Sequence, residues 1–150
     1  MGRRSTKHTI DLHCYKDFIA AVKKDLKITD CVISIQERNY TTFMGQWWGA
    51  NGYYLITLTL HRGICETACT LLHELRHIWQ QEKGKHVIIG DKVYWRGKEH
   101  RSKSAVNYRK DIDAYNKLPW ELDATKFENT LGTYIHLICD RDGKAIYPKE

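Results

Sequence analysis

The sequence predicts an α+β fold, and three observations carry that prediction. Two stretches, Asp11 to Lys27 and Ile64 to Gln81, repeat apolar residues three and four apart, the spacing that gives a helix one buried face. Two others, Cys31 to Gln36 and Tyr53 to Leu60, are short, rich in β-branched or aromatic residues and bounded by turn residues, as strands are. Val87-Ile88-Ile89 and Lys92-Val93-Tyr94-Trp95 flank Gly90-Asp91, the signature of a compact hairpin. At 150 residues and 42% hydrophobic content the chain can bury one core, so a single unit over residues 1–150 is expected.

The elements follow in order. Leu12, Tyr15, Phe18, Ile19, Val22 and Leu26 form the apolar stripe of the first helix. After the first strand, Met44 to Gly52 carries Gly45, Gly49 and Asn51-Gly52 and is predicted as a loop or hairpin turn. The Tyr53 to Leu60 strand alternates apolar residues with Thr in its second half and leads to the second helix, whose apolar side is Leu71, Leu72, Leu75, Ile78 and Trp79 and which Gly84 stops. Beyond the hairpin, Ala105 to Asn116 is predicted helical. A last helix should start near Leu118-Pro119, since Pro is favoured in a first turn, and run through Glu128. Tyr134 to Cys139 is predicted as a final strand, closed by an Asp142-Gly143 turn.

Composition narrows the function classes. No apolar run approaches the roughly 20 residues that span a bilayer, and the basic N-terminus has no apolar segment behind it, so a cytoplasmic protein without a membrane partner is expected. Five cysteines at irregular spacing argue for reduced thiols, most of them small buried hydrophobes. The net charge of +6 is concentrated between Lys83 and Lys110, where nine Lys or Arg face two acids, Asp91 and Glu99. Such a stretch is either a solvated, mobile hairpin with its flanks or a surface that tracks nucleic acid or steers an acidic partner.

The chemistry-bearing motif is His73-Glu74-Leu75-Arg76-His77. Residues four apart share a helix face, so two imidazoles can converge on one ion with Glu74 beside them. Zinc takes such nitrogen ligands, and a catalytic site uses three protein ligands and leaves the fourth position to water, whose proton Glu74 would accept. A third ligand is needed. A further His ten residues after the first is absent, because Lys83 stands there and Gln80 stands where Gly is required. Leu118-Pro119-Trp120-Glu121-Leu122-Asp123-Ala124 instead brings a carboxylate into a first helical turn 44 residues after His77, and Glu121 is the choice. Cys65, Cys69 and His73 recur every four residues, which suits buried thiols lining the helix contact better than a thiolate cluster.

The His-Glu-x-x-His helix followed by Pro119-Trp120-Glu121-x-Asp123-Ala124 resembles the gluzincin class of zinc peptidases, especially its minimal phage- or bacteria-associated members, over roughly residues 53–127. The resemblance implies a zincin-like fold in which a small mixed sheet packs against an active-site helix and a glutamate-bearing helix. It implies zinc held by His73, His77 and Glu121, with Glu74 as general base. Ala124 matches the small residue that lets the two helices pack closely. Asp123 stands two residues after the ligand, as its hydrogen-bonded support or as the ligand itself, and the distal His of the SprT-like class keeps His100, and with it His86, open for that role. The Tyr53 to Leu60 strand would offer an edge to an extended peptide or lie inside the core. A developing oxyanion would be steadied by Tyr115, with Tyr108, His100 and His136 as other candidates.

The functions to be separated are zinc-dependent hydrolysis of a protein or peptide substrate, a SprT-like protease associated with nucleic acid through residues 83–110, and a virion or assembly component built on the same fold.

Overall fold

The computed structural model describes residues 12–38, 45–59, 63–100 and 112–144. A 3-10 turn at Leu12–Tyr15 opens into helix α1 (Lys16–Leu26), which ends with Lys27 in the left-handed conformation (φ 58°) and its N–H on the Lys23 and Lys24 carbonyls. Strands β1 (Val32–Arg38), β2 (Gly45–Ala50) and β3 (Tyr53–Thr59) follow, then the long helix α2 (Ile64–Glu82). Strands β4 (His86–Ile89), β5 (Lys92–Trp95) and β6 (Lys98–Glu99) precede α3 (Ile112–Asn116) and α4 (Pro119–Phe127). The described chain then winds through a 3-10 turn at Glu128–Thr130, α5 (Leu131–Tyr134) and a second 3-10 turn at Ile135–Leu137.

The architecture is α+β. One sheet has the order β1-β3-β2, with β1 parallel and β2 antiparallel to β3, and is therefore mixed. Residues at even positions of β3, Tyr54, Ile56 and Leu58, are buried in the same core as Leu71, Leu72, Leu75 and Ile78 of α2, Phe18 and Val22 of α1, and Ile138. Each fully buried side chain of this kind contributes about 1.5–3 kcal/mol relative to exposure. The second sheet, β4-β5-β6, folds over a smaller cluster of Val93, Leu118 and Trp120, with Trp95 and Tyr115 against it. No helix among the described residues is long and apolar enough to cross a membrane.

Two expected elements change, and one open alternative is decided. Met44 to Gly52 is not all loop: Gly45–Ala50 is strand β2, and only Asn51-Gly52 turns, with φ of 53° and 83° as a two-residue hairpin turn requires. Its glycines mark close approach. A Cβ at Gly49 (φ 140°) would lie 2.2 Å from the Tyr53 carbonyl oxygen, and one at Gly45 would lie 2.5 Å from Thr70 Cγ2, so β2 can press against β3 and α2 only without those side chains. Tyr53–Thr59 is the central strand, paired on both sides, so it presents no edge to a peptide; among the described residues the edges are β1 and β2. Tyr134 to Leu137 is helical and 3-10 rather than extended, and turns at Ile138, because Tyr134 and Ile138, four apart, are the positions it buries. The Asp140 carboxylate accepts from the Asp142 and Lys144 N–H groups and closes the Asp142-Gly143 turn.

Helix α2 runs one residue past the predicted end, to Glu82, and Gly84 (φ 68°) follows its cap. Ala105 to Asn116 is helical over Ile112–Asn116, and its earlier part lies outside the described residues, as does Tyr108. The basic stretch is the β4–β6 sheet as far as His100, and the rest lies outside them too. No disulfide joins the cysteines. Cys14 and Cys31 are buried, Cys69 and Cys139 half-buried and Cys65 exposed, so of the two thiols expected to be buried along the helix contact Cys65 is not buried and Cys69 is only partly so. Cys65 sits exposed in the first turn of α2.

Candidate metal centre

The site lies where α2 meets α4. Gly63 caps α2, and Glu66 Oε1 accepts the Gly63 N–H at 3.3 Å, fixing the first turn from which the motif is reached two turns later. Leu118 is extended (φ −60°, ψ 141°) and Pro119 occupies the first helical position of α4, which places Glu121 in the first turn. There the unpaired N–H groups of the helix start favour an anionic side chain. Helix α4 packs along α2, and Ala124 is completely buried within it.

Among the described residues, one group of His, Cys, Asp or Glu side chains could hold a metal ion: His73, His77 and Glu121, whose ligand atoms all lie within 4.8 Å of one another. Glu121 Oε1 lies 3.0 Å from His73 Nε2, and its Oε2 lies 3.1 Å from His77 Nε2. The outer nitrogens are committed elsewhere. His73 Nδ1 is 2.7 Å from Glu128 Oε2, and His77 Nδ1 is 2.9 Å from Gln80 Oε1. The Gln80 amide nitrogen donates to Trp120 O and Asp123 Oδ2, so its oxygen is turned to His77.

This wiring tests whether the residues suit a cation. Both Nδ1 atoms face acceptors and so carry protons, which leaves two Nε2 atoms opposite carboxylate oxygens. Neutral imidazoles would set lone pair against lone pair at about 3 Å, so positive charge must lie between them, as protons on both rings or as a cation. The donor set, two imidazole nitrogens and a carboxylate oxygen, is the one a catalytic zinc uses, and these separations approach the roughly 3.3 Å edge of a tetrahedron with bonds of about 2 Å. The residues fit the ion.

The electrostatics agree. Burial opposes charge on His73, but hydrogen bonds to Glu121 and Glu128 outweigh it and raise its pKa to about 10. His77 is raised as well, burial again being overcome by Glu121. Burial would raise Glu121, yet the two imidazoles hold it well below the usual carboxylate range. Glu74 is 6% exposed, and burial raises its carboxyl against the pull of His77 and His73.

The other candidates fall elsewhere. Asp123 does not join the metal-competent group: it receives Arg76 Nε at 2.8 Å and Nη2 at 3.1 Å as well as Gln80, which holds it below its ordinary range despite burial. His100 and His86 bracket Trp120. His86 stacks on the indole at 4.3 Å, where burial lowers its pKa to about 4, and His100 meets it edge-on at 5.4 Å. Neither belongs to the group. Tyr115 packs against the Trp120 cluster, and His136 is exposed.

Three residues of the site escape the motif. Trp47 of β2 stacks with His77, their centroids 6.2 Å apart, from a segment whose glycines give it the sequence pattern of a loop. Gln80 lies three residues after His77, on the face of α2 that carries the ligand, and Glu128 lies seven after Glu121, at the cap of α4 where the helical backbone continues into the 3-10 turn and returns it to the same side. Glu128→Gln keeps the shape but weakens the acceptor that orients His73, and is expected to cost 10- to 100-fold in metal affinity with folding retained. Competition with a chromophoric chelator measures it, and unaltered affinity would remove Glu128 from the centre. Compared with protein-family models, curated proteins and solved structures, the chain matches none.

Proposed function

We propose that the chain is a zinc-dependent peptidase with a zincin-like arrangement of the gluzincin type. The observation that carries this reading is the convergence of His73, His77 and Glu121 from two packed helices, with the buried carboxyl of Glu74 beside them. Zinc, when bound, supplies Lewis acidity toward a carbonyl oxygen and acidifies water. His73, His77 and Glu121 hold it, while Glu128 and Gln80 fix the two imidazoles by their Nδ1–H groups. Glu74 takes the proton of the attacking water and returns it to the amine nitrogen as the C–N bond breaks.

An extended substrate requires a strand edge near this centre. Strand β2 supports that role in place of β3: it lies at an edge of its sheet among the described residues, and its Trp47 reaches His77. Purified protein is expected to carry about one zinc per chain and to cleave an unfolded protein such as reduced casein. Chelation should stop cleavage and added zinc restore it. Full activity after the metal is stripped would defeat the proposal.

A further inference from the structure

On the side of α2 and α4 that carries Arg76 and Asp123, a cavity of about 530 Å³ opens between these helices and the turn after β5. Its walls include Arg76, Arg96, Lys126, Asp123, Asn129 and Thr130, three cations against a single carboxylate. A fourth cation stands close by: the Trp79 ring has Arg76 Cζ at 3.7 Å, Lys85 Nζ at 5.9 Å and Arg96 Cζ at 5.9 Å. Like charges gathered on one indole repel one another, and one acid does not balance them.

The three cations of the wall differ in what they have left to offer. Arg76 is spent, since it is bidentate to Asp123 and lies between Trp79 and Phe127. Asp123 is spent in turn, because it also accepts from Gln80. Arg96 reaches it only at 3.8 Å and is half exposed, and Lys126 has no acidic group within 4 Å among the described residues. The cavity therefore presents an ammonium with no acidic partner among the described residues and a half-exposed guanidinium held only by one long contact to Asp123, beside the side-chain amide of Asn129.

We propose that this cleft binds a phosphate group, free or at the end of a larger ligand, at a site separate from the metal centre. A phosphate monoester brings two negative charges and three acceptor oxygens, which matches an arginine fork, a lysine and an amide donor better than a singly charged carboxylate does. The volume is within the range of small-ligand sites. Arg96 and Lys126 come from different elements, so the charge is gathered by the fold and is not a run in the sequence.

The test is calorimetric titration of the full-length zinc-loaded chain with inorganic phosphate at constant ionic strength. Saturable binding is expected, weakened at least tenfold by Arg96→Ala and by Lys126→Ala. Lys92→Ala removes the same charge outside the cleft and should leave it unchanged. Arg76 and Asp123 are kept, because they support Gln80 and through it His77. Phosphate bound at the metal centre is recognised by surviving Arg96→Ala and being lost with Glu121→Ala, and that result would overturn the site without touching the peptidase reading. A single-stranded oligonucleotide with and without a 5′-phosphate separates the sources. Tighter binding of the phosphorylated form, competed by inorganic phosphate, places the group at a chain end, whereas binding of inorganic phosphate alone makes the ligand a small molecule. Equal binding of both oligonucleotides without such competition, equal weakening by Lys92→Ala, or no saturable binding each overturns the proposal.

Discussion

Glu74→Gln is expected to lower peptide hydrolysis by about 10²–10⁴-fold while zinc content and folding are retained. The side chain keeps its shape, but an amide cannot accept the proton of the attacking water or return it to the leaving nitrogen. Loss of activity through misfolding is separable from this, because the substitution should not weaken the fold. Burial raises the Glu74 carboxyl, so the unfolded chain gives up its proton at a lower pH than the folded one, and stability falls as pH rises from the ordinary value of 4.5 through the raised one. The amide has no such penalty. The melting temperature at neutral pH is therefore expected to hold or rise in the same sample whose cleavage is lost. Glu74→Asp should recover little, since its carboxylate is drawn back by one methylene from a buried position that cannot adjust. Wild-type turnover in Glu74→Gln would end the general-base assignment.

The two helices of the site were legible because their signals are local. Apolar spacing marks α2, Pro119 marks the start of α4, and His73, His77 and Glu121 are the residue types that the chemistry needs at positions those helices fix. What could not be read depends on contacts between elements. Gly45 and Gly49 look like turn residues, and only the approach of Thr70 and Tyr53 explains why a strand should carry them. The Tyr134 to Cys139 stretch has strand-forming residues, but packing of Tyr134 on Phe18 at 5.9 Å and its hydroxyl on Asp25 Oδ2 at 2.5 Å decide for a helical turn. The place of β3 between two partners, which moves the candidate substrate edge to β2, is a matter of strand order that no single-strand pattern encodes. Asp123 and Glu121 differ in the same way: two residues apart on a helix, they point to different faces, and only the seating of α4 on α2 tells which one meets the imidazoles.

Glu121→Ala, compared with Asp123→Ala and His100→Ala, is expected to be the variant that loses zinc outright. It removes both oxygens that face His73 Nε2 and His77 Nε2, and leaves a half-buried and a buried imidazole with no counter-charge between them. Two nitrogen ligands alone do not complete the three-residue set of a catalytic site. Asp123→Ala frees Gln80 and Arg76 and should weaken the metal only through the orientation of His77, by about 10- to 100-fold. His100→Ala disturbs an edge-on contact with Trp120 and should leave zinc bound. Stability follows occupancy. A ligand at 1,000 times its dissociation constant adds about 4 kcal/mol to the folded state, so chelation should lower the melting temperature of the wild-type chain and of His100→Ala, and leave that of Glu121→Ala unmoved. Elemental analysis beside melting curves with and without chelator reads both effects. Stoichiometric zinc in Glu121→Ala together with its loss in Asp123→Ala would transfer the third ligand to Asp123 and require α4 to turn on its axis against α2.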